Sequence, residues 1–192
     1  VNSNSNITLN SDVTSKYGKV NLSSSKGYIE HLGGTILTDY LTMKAITGIG
    51  SVNAIKHQMN SDNGTLSALT KYGDINLVSS NLAGLKDASL KFTATTDKGN
   101  VNAIADASLL KGGNALDVKG SRIDLVSNYG SIGAYNALLN IYAGQVLAKP
   151  GDTLSASVNA NAPLASFFLI FSNLTSKFSI FILIPLFQYG SI

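Results

Sequence analysis

The chain has no cysteine, no tryptophan, and only three prolines among its 192 residues. Without cysteine there is no disulfide framework and no thiolate zinc site. Two histidines, His31 and His57, leave little for a His-rich metal site. Charge is sparse as well, at 13% of residues, about half the usual ~25%. That argues against a charged disordered tail or a coiled coil. The formal excess is only +3, with one arginine, Arg122, and lysines scattered along the chain. Nucleic-acid binding draws on clustered Lys and Arg, so no nucleic-acid partner is expected. Neither a phosphate-binding P-loop nor a dinucleotide fingerprint is present. The opening VNSNSNITLN has neither the basic start nor the apolar run of a secretory leader. Since it begins with Val1, the expectation is an excerpt from a longer polypeptide or a gene remnant.

Small and turn-forming residues are abundant: 24 Ser, 13 Thr, 19 Asn and 18 Gly, more than a third of the chain. Composition also changes along it. The prolines are Pro150, Pro163 and Pro185, and six of the seven phenylalanines fall between Phe167 and Phe187. Beyond Asp152 the only charged residue is Lys177. Residues 1–160 and 161–192 therefore read as two objects, a polar repeat segment and a non-repeat apolar C-terminal tail. The 21 positions 167–187 are long enough to cross a bilayer. Lys177 near their middle costs about 2.5–3.5 kcal/mol on insertion scales, which makes spanning marginal. Phe/Ile/Leu/Ser-rich text with one lysine is also what AT-rich DNA yields out of frame. A shifted or truncated end is favoured slightly over a membrane segment.

One phrase recurs in residues 1–160: glycine, a small or polar residue, a β-branched residue, a polar one, an apolar one. It occurs at Gly18–Leu22, Gly50–Ile55, Gly73–Ser80, Gly99–Ile104, Ile123–Ser127 and Gly130–Ala134. Val52 and Val101 are 49 apart, Ile75 and Ile123 are 48, and Ile75 to Val101 is 26. A step of 22–26 residues, single and doubled, is the mark of a repeat architecture. Alternation within each phrase, as in Val20/Leu22 and Ile75/Leu77, argues a short strand with one buried face. The glycine ahead of it supplies a turn, tolerating positive φ and close backbone approach. Asn and Ser at turns bond locally and form ladders when stacked. Helix formers are few, with Ala107–Lys111 and Ala134–Ala148 the candidates for short helices. The fold expected is all-β: a parallel β-helix of roughly six or seven coils, on the order of 30 Å long. The alternative is a β-sandwich with its regular turn signals; the doubled spacing favours the solenoid.

The phrases GIGSVNAI (Gly48–Ile55) and YGSIGAYNALLNIYAGQV (Tyr129–Val146) resemble the filamentous-haemagglutinin-like adhesins. In that family a Gly-Ile-Gly-Ser turn precedes a short apolar strand, a spacer, and a Gly-Asp-Ile-x-Leu strand. Here Gly48-Ile49-Gly50-Ser51 is followed by Leu66-Ser67-Ala68 and by Gly73-Asp74-Ile75-Asn76-Leu77. The text is also similar to the large leukotoxin-type filamentous adhesins of fusobacteria. The resemblance covers about residues 1–160. It implies a right-handed parallel β-helix (solenoid) within a large passenger protein, secreted to a Gram-negative cell surface by two-partner secretion through an outer-membrane pore. Such passengers bind host-cell glycans, proteins or matrix, or extend a distal tip, and act in virulence. The family's N-terminal secretion domain is absent, and the tail after residue 161 does not continue the repeat.

Chemistry-bearing constellations are weak. Gly112-Gly113-Asn114-Ala115-Leu116-Asp117 partly matches a calcium nonapeptide, but Ala115 replaces a glycine, Lys119 stands where an apolar residue belongs, and there is one copy. A plain glycine turn is expected there. Glu30, His31 and His57 show no spacing that unites a base, an orienter and a nucleophile, and a surface or turn role is expected for the histidines. Asp74, Asp97, Asp117 and Asp124 would suggest a glycan hydrolase or lyase if two converged on one coil face; as turn formers they need no such role. Tyr17, Tyr28, Tyr40, Tyr72, Tyr129, Tyr135 and Tyr142 spread along the shaft, where packing at rims is commoner than sugar stacking. The expected function is a non-enzymatic shaft or adhesive segment of a secreted adhesin, with no catalytic residue, metal or cofactor. The alternatives are a β-helical polysaccharide-acting enzyme, and a protein in membrane contact through residues 167–187.

Overall fold

The computed structural model describes residues 1–81, 88–114 and 116–150 in full, and the backbone of 154–159, 166–169 and 178–183. Among the described residues there is no helix, and every strand joins one parallel sheet wound into a β-solenoid. The strands are β1 (Asn2–Ser3), β2 (Ile7–Leu9), β3 (Val13–Ser24), β4 (Tyr28–His31), β5 (Ile36–Lys44) and β6 (Gly48–Ile49). They continue with β7 (Ile55–Met59), β8 (Asn63–Leu69), β9 (Ile75–Asn81), β10 (Ser89–Thr95), β11 (Val101–Ala105) and β12 (Ser108–Lys111). The last are β13 (Val118–Ser127), β14 (Leu139–Lys149), β15 (Leu154–Asn159), β16 (Ser166–Leu169) and β17 (Phe178–Leu183).

Alternation decides what faces inward, and register decides what stacks. On one face Ile7, Ile29, Ile49, Ile75, Val101, Ile123 and Val146 pair in succession, 20 to 26 residues apart. All seven are buried. On a second face the column is Leu22, Met43, Ala68, Ala94, Val118 and Ile141. A third face is more irregular, with Val13, Ile36 and His57 in one column and Leu90, Leu109 and Ile132 in another. Six steps of about 4.8 Å from Ile7 to Val146 give a shaft of roughly 30 Å. The core is one continuous apolar filling, with β-branched residues stacked on β-branched residues.

Both candidate helices are strands instead. Ser108–Lys111 pairs with β10, and Leu139–Lys149 pairs with β13. Leu139, Ile141, Ala143, Val146 and Ala148 all bury on one side of β14, so the ladder outweighs the local abundance of Ala and Leu. The repeat is also only partly the one that spacing suggests. Ile75, Val101 and Ile123 do stack, but Val52 is no partner of Val101. Ile49 holds the column position, while Val52 is 82% exposed in a turn. Gly18–Leu22 is a strand of the second face, and Ile132 belongs to the third.

The corners share a device. Ser24, Thr96 and Ser127 each accept the N–H of the glycine three residues on, Gly27, Gly99 and Gly130, at 3.0–3.1 Å. The same hydroxyls donate to carbonyls of the preceding coil, on Ser5, Gly73 and Ala107, at 2.6–2.9 Å. Each buried hydroxyl thus uses both its donor and its acceptor capacity, as a dry interior requires. Within the tail, β16 pairs with β14 and β17 with β15. The expectations of a membrane segment over 167–187 and of a shifted end fall largely outside the described residues.

Candidate functional site

Residues of reactive type are mostly used as stitches between coils. The Asp12 carboxylate accepts the Thr35 N–H (2.8 Å), Asp39 those of Asn60 and Ser61 (2.7 and 2.9 Å), and Asp74 that of Asn100 (2.7 Å). Asp117 is fully buried and accepts from Gly112 (2.9 Å) and Asn140 (3.0 Å). Its carboxylate therefore closes the Gly112–Asp117 turn and ties it to the next coil, with both oxygens engaged. Such charge-assisted bonds are roughly twice as strong as neutral ones. Asp97 is exposed and paired with Lys119 at 2.6 Å, and Asp124 is paired with Arg122 at 3.0 Å. The Lys119 hydrogen bond and charge hold the Asp97 carboxyl below its ordinary range, with Lys71 and Lys98 adding to the effect. The four aspartates singled out by sequence thus have four different sets of partners.

Glu30, the one glutamate, is buried beneath the 51–53 turn. Its oxygens accept the N–H groups of Ser51 (2.7 Å), Val52 (3.1 Å) and Asn53 (3.4 Å). This explains why Val52 leaves the apolar column: its backbone is drawn over a carboxylate and its side chain points to water. The groove above, of about 460 Å³, is lined by Thr8, Tyr28, Leu32, Thr47, Ser51 and Val52. Two further grooves lie around Thr96, Asp97, Lys119 and Tyr142 (about 180 Å³) and around Asn76, Val78, Asn102 and Ile104 (about 310 Å³). None of the three is lined by two carboxylates.

The histidines lie inside rather than on the surface. His31 Nε2 bonds the Gly34 carbonyl and so closes a turn. His57 is 1% exposed and sits in a polar seam through the third face. The carbonyl of Thr38 fixes one nitrogen: Nε2–H donates to it at 2.8 Å, leaving Nδ1 to accept from the Ser79 hydroxyl at 2.9 Å. Thr38 in turn donates to the Gly18 carbonyl at 3.2 Å. A serine hydroxyl on an imidazole resembles the start of a nucleophile–base pair, but Ser79 is itself buried and lies along none of the three grooves. The seam is a satisfied polar column in an apolar core.

Burial pushes the His57 imidazole below its ordinary value, against the opposing pull of the Thr38 carbonyl bond and the Asp39 charge. The unfolded chain therefore binds a proton more readily than the folded one. Stability from this group is full above the unfolded value of about 6.5 and is lost as pH falls through the lower folded value. Urea midpoints measured through that window are expected to fall with uptake of one proton. In His57→Gln the window is expected to flatten, whatever the starting stability.

Among the described residues no group of three or more His, Asp or Glu is placed to hold a metal ion. Nor is any helix there long and apolar enough to cross a membrane. An asparagine ladder does form on the outer surface: Asn102 Nδ2 donates to Asn76 Oδ1 (2.7 Å), and Asn76 Nδ2 to the Gly50 carbonyl (2.9 Å). No protein-family model, curated protein or solved structure matches the chain.

Proposed function

We propose that this chain is a non-enzymatic shaft segment of a large secreted bacterial adhesin, spacing and presenting contact surface for host-cell or surface attachment. The observation that supports this reading is the use of its chemistry-bearing side chains. Asp12, Asp39, Asp74, Asp117 and Glu30 each hold backbone N–H groups of the following coil, and His57 is enclosed in the core. They serve the stacking of coils, which is what a rigid spacer needs. Exposed Tyr17, Tyr129 and Tyr135 leave amphipathic rings on the outside, suited to many weak contacts.

The test pairs two measurements on the purified chain. Beads coated with it are expected to stay on cultured epithelial cells under flow more than albumin-coated beads do. Incubation with a panel of polysaccharides is expected to release no reducing ends. Cleavage of any of them would replace the shaft reading with the enzyme reading.

A further inference from the structure

Five of the lysines that look scattered in sequence are brought to one side of the coil by the winding. Each of five successive approaches to the Ile29, Ile49, Ile75, Val101 and Ile123 column carries one lysine: Lys26, Lys44, Lys71, Lys98 and Lys119. All stand three to five residues before the column residue: Lys44 and Lys119 in the strand-end column Ser23, Lys44, Leu69, Thr95 and Lys119, and Lys26, Lys71 and Lys98 two to three residues beyond that column in the turn. Lys26, Lys44, Lys71 and Lys98 are exposed, and Lys119 is partly so. Two acids lie near them. Asp97 is paired with Lys119, and Asp74 gives its carboxylate to the Asn100 N–H. These five lysines outnumber the two acids in a chain whose formal excess is +3.

Aromatic and apolar bodies are set into this edge. Tyr72, 47% exposed, has the Lys71 and Lys98 ammonium groups 5.0 and 5.4 Å from its ring centroid. Leu69 occupies the register position of Lys44 in the next coil and is 43% exposed. The edge runs across four coil steps and is about 20 Å long at the coil spacing. Two of the grooves described above border it, the one of about 180 Å³ beside Lys119 and Tyr142 and the one of about 460 Å³ beside Tyr28 and Thr47.

We propose that the shaft lies lengthwise on an anionic lipid surface through this lysine edge, with Tyr72 and Leu69 at headgroup depth. Exposed lysines repeated over successive coils can rest together along a flat surface, whereas a single polymer strand is held better in a groove. Lysine ammoniums act as point charges that sum over a charged leaflet; the bidentate forks that read individual phosphates belong to arginine. A tyrosine ring with its polar tip is suited to the headgroup layer. This docking goes beyond the shaft reading and stands whether or not that reading holds. It is also distinct from any contact made by residues 167–187.

The test is flotation of the full chain with vesicles of phosphatidylcholine alone or with about a third phosphatidylserine, at low and high salt. Binding is expected only to the anionic vesicles and only at low salt. Each lysine near the surface is worth about fivefold in partitioning, so the quadruple variant K26Q/K44Q/K71Q/K98Q is expected to lose about 600-fold if the four act independently. A control, K16Q/K56Q/K91Q/K149Q, removes the same charge from elsewhere and is expected to lose far less. These positions are exposed, and circular dichroism checks that both variants fold. Equal losses in the two variants, equal binding to neutral vesicles, or no binding would overturn the proposal. So would preference for a soluble acidic polysaccharide or single-stranded DNA over the vesicles.

Discussion

Gly73→Ala is expected to destabilise the shaft by about 3 kcal/mol, at the upper end of what overpacking costs. Gly73 does not have the positive φ that favours glycine; among the described residues the positive-φ glycines are Gly34, Gly48, Gly50, Gly113 and Gly133. Its requirement is space. A Cβ there would overlap the Thr47 carbonyl and come within 2.7 Å of the Gly48 Cα, all of it backbone. Gly99 repeats the arrangement one coil on, its absent Cβ facing the Gly73 carbonyl and, at 2.8 Å, the Asp74 nitrogen. The corner glycines thus lie against one another along the axis, and a methyl group at one of them must push adjacent coils apart. That separation also strains the backbone bonds across the same pair of coils, from the Tyr72 N–H to the Ile46 carbonyl and from the Ile49 N–H to the Asp74 carbonyl, both 2.9 Å. At Gly144 the nearest atom to a built Cβ is the Ser121 carbonyl oxygen at 3.2 Å. Gly144→Ala is therefore expected to cost far less. Urea denaturation of both variants followed by circular dichroism makes the comparison, and equal midpoints would mean that the corner stacking is not limiting.

How much of this was legible in the sequence varies with the physics involved. Inward positions were, because period-two alternation in Ile75/Leu77 and Val101/Ala103 is a local property. Stacking order was legible only where coil lengths happen to agree. Ile75, Val101 and Ile123 follow one another at 26 and 22 residues, but the identical letters VNAI at Val52 mislead. There the outcome is set by Glu30, 22 residues earlier, whose buried carboxylate captures the turn. The lysine edge was hidden for the same reason. Its members are 18, 27, 27 and 21 residues apart, and no fixed period joins them. The corner hydroxyls do carry a usable local signal: Ser or Thr three residues ahead of the turn glycine, at Ser24, Thr96 and Ser127. His57 reads as a surface or turn residue in sequence because its partners, Thr38 and Ser79, come from the coils on either side.

Phe92→Ala is expected to cost about 3–5 kcal/mol, the range for emptying a buried aromatic site. Phe92 is the only phenylalanine before residue 167 and is 1% exposed. In register it faces Leu66 on β8, which in turn faces Leu41 on β5. Ladder partners on adjacent coils are held at a fixed spacing by backbone hydrogen bonds, so the coils cannot collapse into the space as two loose helices would. The cavity therefore persists and its cost stays near the upper end of the range. In a solenoid each coil contacts only its neighbours, so the loss falls on two interfaces rather than on a shared core. Amide exchange should then speed up in β8 and β10 before it does in β4 or β14, and the urea transition should broaden as the shaft divides near that coil. Phe92→Leu keeps most of the volume and is expected to restore all but about 1.5 kcal/mol. Uniform acceleration of exchange along the whole shaft in Phe92→Ala would mean that the coils unfold as one cooperative body and that nearest-neighbour stacking does not describe this protein.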